Sequence, residues 1–502
     1  MLWLALHLPL LSLEAFCATL PAAAAERPVA LVDEHRVSAA NTTAARHGIR
    51  PGIKRATALA LAGDLLVAQA DAARDAAALQ AVAYAALAFT PMVTLEGRST
   101  VLLEVQASLR YFGGLARLLA RLRQALAPLG NRVRIAGAPT PLGAALLAQW
   151  GPVRDDLAEG PHSTQLPALQ RLLDDAPVWL IGPGREHWQA LQGMGLQTLS
   201  DLRVLPRAGL ARRFGEGLLD DLDRALGRRA DPRHALLPPP AFESRLELFA
   251  RADTSAQVLH GAATLLARQV AWAQALQSRI SAFTLQMQHE PRHRGEAPES
   301  TVLRIELAEP SLDAEHLQLL LRERLAHVEL AAPTLELRLD CRDIVQIAAP
   351  NGELFPTRQS RGQGLTRLLE RLRARLGDGQ VLRVAAVADH RPERAIRLLP
   401  AHEAAPPSPP PSVPGLPLHQ PVWLLPEPLP LAERDTQPLL GGRVLQLLSG
   451  PERIESGWWD GALAARDYFI AQAEDRSLVW IYRDRLPQAG GGTCWFMQGR
   501  FG

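Results

Sequence analysis

The side chains able to do chemistry in this chain are few and scattered. Cys17, Cys341 and Cys494 stand far apart, with neither the spacing of a zinc site nor the density of a disulfide framework. Free thiols in a reducing compartment are expected. His7 is alone in the apolar run LWLALHLPLLSLEAF, residues 2–16. One imidazole suits a hard, oxygen-seeking cation such as Mg²⁺ poorly, so its expected role is packing. Two other groups are suited to recognition rather than reaction. In IGPGREHWQALQGMGLQTLSDL the glycines of Gly182-Pro183-Gly184 let backbone amides approach a phosphate closely. Arg212 and Arg213 follow in LARRFGEGLLDDLDRALGRR, with Arg228 and Arg229, offset by Asp220, Asp221 and Asp223. The rival reading is a glycine-rich helix connection with no ligand. In AAPNGELFPTRQ, Asn351, Leu354 and Phe355 place two apolar side chains and one amide in a short loop. That set can fill a cleft on a partner and hydrogen-bond at its rim.

These groups need elements to position them, and the chain is long enough for several domains. It has 502 residues, 47% hydrophobic and 21% charged, so most of it can bury cores. A net charge of +2 excludes a histone-like polyanion binder but leaves room for a local basic groove. Of the 54 basic residues only Lys54 is lysine. No stretch reaches the roughly 18 uninterrupted apolar residues of a membrane span, so no membrane association is expected. The N-terminal run followed by LPAAAAERP resembles a secretory signal with a small-residue cleavage site. Against that, no Lys or Arg precedes it and Glu14 stands before the site. The run is expected to be retained as a first buried strand, with no mature start near Ala25 or Glu26.

After that strand, RPVALVDEHRVSAAN reads as a second strand with a charged turn at Asp33-Glu34-His35. Ala- and Leu-rich helices follow over 56–88, then a strand in STVLLEVQAS and an amphipathic helix with Leu115, Leu118, Leu119 and Leu122 on one face. VRIAGAPTPLGAALLAQWG reads as strand, Pro turn and helix. Residues 177–235 form a helical segment punctuated by glycine. From 242 to 347 the order is β-α-β-β-α-β, a ferredoxin-like split βαβ signature. A helix over 363–376 carries Arg367, Arg371, Arg373 and Arg375, suited to a solvated face or to DNA. Residues 404–432 read as a Pro-rich, extended linker. The aromatic tail after 433 reads as a small β-rich domain. The fold class is therefore α/β and α+β, in several domains.

Four segments in this order resemble the Y-family translesion DNA polymerases over most of residues 1–347. APTPLGAALLA, SLRYFGG, VADHRPERA and GPERIESGWWDG resemble the ImuB-like branch of that family. The resemblance implies a palm with fingers over 1–165, a helix-hairpin-helix thumb over 166–240 and a little finger over 241–347. A clamp-motif loop and helical segment would cover 348–403, the linker 404–432, and a partner-binding domain 433–502.

Polymerase chemistry needs carboxylates that hold two Mg²⁺ ions about 4 Å apart. Active members carry Asp-x-Asp on the first strand, ahead of a Val-Glu pair. Setting that Glu on Glu14 puts the two Asp positions at Ala5 and His7. Aligning the family's later Leu-Asp-Val on Leu103-Glu104-Val105 puts its Asp-Glu pair at Ser99 and Thr100. Glu96 lies three residues before Ser99, and nothing marks it as a substitute. The family's nucleotide-contacting Tyr and Arg fall on Thr42 and Ala45. Arg46 is one residue along, which on a helix turns it about 100° away. The family's two lysines fall on Pro141 and Ala145. The resemblance implies a protein with no catalytic residues, metal or cofactor, in the cytoplasm and associated with the nucleoid. It would serve as a scaffold for error-prone lesion bypass in the SOS response.

The implied partners are the sliding clamp (beta subunit), an error-prone DnaE-type polymerase, a RecA-like ImuA-type accessory protein, and DNA held weakly without sequence preference. Clamp contact through Asn351, Leu354 and Phe355 has Asn in place of the family's Gln. Its rival is Gln437-Pro438-Leu439-Leu440, while QLPAL at 165–169 reads as helix packing. The alternatives are an active polymerase with a rearranged metal site and a secreted protein.

Overall fold

The computed structural model describes residues 1–502 except 25, 151–158, 292–298, 347–357, 378, 402, 404–419, 487–493 and 502. It divides into two compact units, Met1–Arg375 and Leu376–Gly502.

In the first unit β1 (Trp3–His7) is the expected N-terminal strand, and it leads through a turn at Pro9 into α1 (Leu11–Cys17). The charged turn makes the next segment a hairpin of β2 (Val29–Asp33) and β3 (Arg36–Ala40), with Glu34 at φ 53. After α2 (Thr42–Arg46) and α3 (Arg55–Leu61), β4 (Leu66–Ala68) pairs parallel with β2, giving the small sheet β3-β2-β4. Helix α4 (Ala72–Leu87) starts at Asp71, whose side chain accepts from the Arg74 amide. Then come β5 (Val93–Glu96), β6 (Thr100–Glu104), the short α5 (Leu109–Phe112), α6 (Leu115–Leu126), β7 (Arg134–Ala138), α7 (Pro141–Trp150) and β8 (Glu159–His162).

These strands form a sheet in the order β5-β6-β1-β7-β8. Alternation along β1 sends Leu4 and Leu6 to the face of α4 and α6, and Trp3 and Ala5 to the face of α7. Both faces are therefore covered.

Six helices follow: α8 (Leu166–Asp174), α9 (Gly182–Glu186), α10 (Trp188–Gly193), α11 (Leu199–Val204), α12 (Arg207–Phe214) and α13 (Glu216–Ala225). Their leucines join the α7 core, and Thr140 Oγ1 donates to the Ala225 carbonyl at 2.7 Å. The β-α-β-β-α-β order is then observed as β9 (Phe242–Ala252), α14 (Ser255–Ala275), β10 (Ser278–His289), β11 (Ser300–Ser311), α15 (Ala314–Leu325) and β12 (Thr334–Gln346). Its sheet runs β11-β10-β12-β9, with β12 inserted between β9 and β10. Helix α14 packs on α4, so one hydrophobic cluster runs from Leu4 and Val82 to Leu265, Trp272 and Leu285. Helix α16 (Arg358–Leu376) is tied to this sheet by Glu370, which is buried and accepts from His316 Nε2 at 2.7 Å. Burial pushes the Glu370 carboxyl up, but the bonds from His316 and the Glu309 and Ala308 amides outweigh it and leave it below the ordinary range.

The second unit opens with a hairpin of β13 (Leu382–Ala386) and β14 (Ile396–Pro400), inside the stretch expected to hold only a loop and a helix. Then come β15 (Trp423–Arg434), β16 (Gln437–Leu440), β17 (Arg443–Val444), β18 (Gln446–Ser456), β19 (Ala464–Gln472), β20 (Leu478–Asp484) and β21 (Trp495–Arg500). They form one sheet, β17-β16-β15-β21-β20-β19-β18. Strand β15 begins at Trp423, within the expected linker. Its pairing with β21 shifts between Leu424 and Leu429, so Pro426 and Pro428 fall where no ladder amide is required.

Candidate functional site

Directly opposed residues of antiparallel strands share a face, and this places the metal-site positions. One row across the sheet runs Glu96 (β5), Thr100 (β6), His7 (β1), Arg134 (β7). The next runs Thr94, Leu102, Ala5, Ala136. The first row ends the sheet and is polar. His7 Nδ1 lies 3.0 Å from Thr100 Oγ1, and the Leu8 amide donates to the Ser99 carbonyl at 2.8 Å. His7, Ser99 and Thr100 are thus brought together. Ala5 is not with them: it lies one row deeper, fully buried beneath α7 beside Ala136, Ala144 and Ala145.

Electrostatics at this end oppose a cation. Burial, and secondarily the Arg134 guanidinium, pull the His7 imidazole down to about 4, against a hydrogen bond with the Ser99 backbone. Glu96, the one carboxylate in the row, is ion-paired with Arg233, which also holds Asp231. A single neutralised carboxylate cannot bridge two Mg²⁺ ions. Because His7 is neutral when folded, the unfolded chain binds the extra proton between pH 6.5 and about 4. Stability from this group is present above 6.5 and falls as pH drops through that window, by at most about 3 kcal/mol. NMR titration of the His7 ring should give a midpoint near 4.

The nucleotide-contact positions are equally changed. Thr42 and Ala45 are exposed on α2, a helix, so Arg46 is turned away from Ala45. Pro141 and Ala145 are buried in α7.

In the six-helix segment, Gly182 opens α9, where open space surrounds it. Gly184 has a packing reason: a Cβ there would collide with the Val178 carbonyl. Arg212 and Arg213 are exposed near the end of α12, and Arg213 lies 5.6 Å from the Phe214 ring centroid. Asp220, Asp221 and Asp223 are engaged by Arg229, Arg224 and Arg207. Among the described residues Arg212, Arg213 and Arg228 form no ion pair.

Asn351, Leu354 and Phe355 lie outside the described residues, between Gln346 of β12 and Arg358 of α16. Their rival does not: Leu439 is buried in β16, paired on both sides. QLPAL is helix packing, with Leu169 fully buried.

The second unit contains a cluster the sequence did not reveal, built from two of the branch-like motifs. Arg391 of VADHRPERA is buried. Its Nη2 donates to Asp389 at 2.7 Å and to Asp460 at 2.6 Å, and its Nη1 donates to the Ala462 carbonyl at 2.9 Å. Hydrogen bonds from Arg391 draw the Asp460 carboxyl down to about 2. Gly457, at φ +87, makes this possible, since a Cβ would strike the Ala462 carbonyl and the Arg391 guanidinium. The turn so pinned presents Trp458 and Trp459, 79% and 55% exposed, edge to face at 5.4 Å. Glu393 ties the hairpin to Arg466 at 2.9 Å and to Gln498 at 2.8 Å. Spacing gives no hint of this, because Arg391 and Asp460 are 69 residues apart.

Comparison with known proteins bears on what these sites serve. Residues 13–149 match the impB/mucB/samB family. DNA polymerase IV of Yersinia pestis is 29% identical over 183 residues, 36% of this chain and 50% of that protein. Among solved structures, DinB from Sulfolobus solfataricus superposes over 69% of this chain and all of its own at 16% identity, with a TM-score of 0.37. The Dbh insertion ternary complex does so over 69% of this chain and 99% of its own at 15%, with a TM-score of 0.39. At those scores the superpositions add nothing to the topology above. Protein ImuB of Caulobacter vibrioides is 30% identical over 477 residues, covering 91% of this chain and 100% of that protein. A relative matched over its whole length at that identity shows that the chain belongs to the ImuB family of Y-family polymerase-like proteins.

Proposed function

We propose that this protein is a non-catalytic scaffold for error-prone translesion synthesis after DNA damage, acting at the nucleoid. It brings an error-prone DnaE-type polymerase and an ImuA-type accessory protein to the sliding clamp. The observation that carries this reading is the polar row Glu96, Thr100, His7, Arg134, whose one carboxylate is already paired. No helix of the described residues is long and apolar enough to cross a membrane.

Three surfaces divide the work. The segment with Asn351, Leu354 and Phe355 reaches the clamp, a reading that the burial of Leu439 in the rival motif favours. Gly182, Gly184, Arg212 and Arg213 supply weak, salt-sensitive contact with DNA phosphates. The second unit receives the protein partners. Its exposed pair, Trp458 and Trp459, has the composition of an interface anchor. On the hairpin, Leu382, Val384, Ile396 and Leu398 share one face, each 44% exposed or more.

Purified full-length chain should bridge clamp and DnaE-type polymerase in one complex by size-exclusion chromatography. Trp458→Ala with Trp459→Ala should remove the polymerase and leave the clamp bound, since each ring is worth on the order of 2 kcal/mol in a desolvated interface. Failure of the wild type to bridge the two would overturn the scaffold reading.

A further inference from the structure

A cleft of about 780 Å³ lies within the first unit, between α1 and α4 on one side and β9 and α14 on the other. Its volume falls within the roughly 300–1,000 Å³ of small-molecule sites. None of its lining residues belongs to the polar row at the sheet's end.

The feature that sets it apart is Arg268 of α14. This side chain is 5% exposed, and its Nη1 makes a long bond of 3.3 Å to Ser244 Oγ. Among the described residues it has no ion pair, although the acids Asp71, Glu243, Glu247 and Glu336 also line the cleft. Glu243 is engaged by Arg338. Removal from water alone draws the guanidinium down, to about 10. A buried cation without a counter-charge is costly unless something supplies one.

Two further arginines line the cleft. Arg74, at the start of α4, lies 5.3 Å from the Phe16 ring centroid, and its buried Nε has no hydrogen-bond partner. Arg245 of β9 stands at the rim, exposed and on the opposite face of the strand from Ser244. The aromatic wall is Phe16, edge to face with Phe249 at 5.4 Å, and Phe249 keeps 46% of its surface open.

We propose that this cleft binds a phosphorylated nucleoside, with its phosphate on Arg268 and Arg74 and its base against Phe249. Guanidinium groups match phosphate oxygens in pairs, and a base needs only an open ring face to stack. From Arg74 to Tyr84 the α4 wall extends about 15 Å, enough for a nucleoside with its phosphates. The ligand is a free nucleotide or the 5′-phosphorylated end of a DNA strand. Because α4 and α14 close the cleft together, an occupant would bind both halves of the unit at once.

The test is thermal denaturation and calorimetric titration of the full chain with ATP and with a 5′-phosphorylated oligothymidylate. At least one should raise the unfolding midpoint, and the tighter binder names the source. Arg268→Met should weaken binding about tenfold or more while leaving the ligand-free midpoint unchanged or higher, because the lost charge had no partner. Arg74→Gln should also weaken binding. The proposal is overturned if neither ligand binds at millimolar concentration, or if binding survives Arg268→Met. A lower ligand-free midpoint in Arg268→Met would also overturn it, by making the arginine structural.

Discussion

Leu354→Ala together with Phe355→Ala should abolish measurable binding to the sliding clamp. Two apolar side chains that leave water for a cleft contribute roughly 1.5–3 kcal/mol each. A weak peptide contact near micromolar affinity totals about 8 kcal/mol, so losing both side chains removes a large share of it. The double variant should keep its thermal midpoint, because both positions fall between the last strand of one sheet and a helix anchored independently by Glu370 and His316. Asn351→Gln lengthens the amide arm and should tighten binding. A change at Leu439 is a different experiment: that side chain is 7% exposed in β16, and truncation there should cost about 2–4 kcal/mol of stability. Surface plasmon resonance against immobilised clamp separates the cases. Binding that survives the 354–355 change and vanishes when Gln437 alone is altered would assign the contact to the other motif.

Restoring the missing acids should not restore a polymerase, and two of them should damage the fold. Ala5→Asp puts a carboxylate in the second row, at a position with no exposure, against Ala136, Ala144 and Ala145. No cation or donor waits for it among those side chains, so the expected cost is at least about 3 kcal/mol, read by denaturant unfolding. His7→Asp and Ser99→Asp, at half-buried positions at the end of the sheet, should be tolerated, whereas Thr100→Glu enters a position with no exposure and should cost about as much as Ala5→Asp. They still face Arg134 and the paired Glu96, and Thr42, Ala45, Pro141 and Ala145 leave the triphosphate without its contacts.

Much of the fold was legible because apolar runs and helical periods are clear and have turns between them. β1, β6 and β7 are runs of apolar residues bounded by turns, and 242–347 shows strands and helices of clear length. Elements were missed where the local signal is weak or contradictory. β4 and β5 have three and four residues, too short for a period. β15 carries three prolines that argue against a strand, and only the bulge in its pairing accommodates two of them. The metal-site positions were legible as residue types but not as geometry. Spacing of two on a strand puts Ala5 and His7 in successive rows of one face, but only the fold shows that the first lies under α7 and the second at the edge. The Arg391 cluster was hidden for a different reason, since it exists only once a hairpin and a distant turn are brought together.

Primer extension by the purified full-length chain, on an undamaged template with Mg²⁺ or Mn²⁺, tests the central claim most directly. The expected result is no template-directed product with either metal, for the wild type and for the His7, Ser99 and Thr100 acid variants alike. Extension by the wild type that disappears on His7→Ala would contradict the account, because it would place a working metal site on the row that here holds one paired carboxylate.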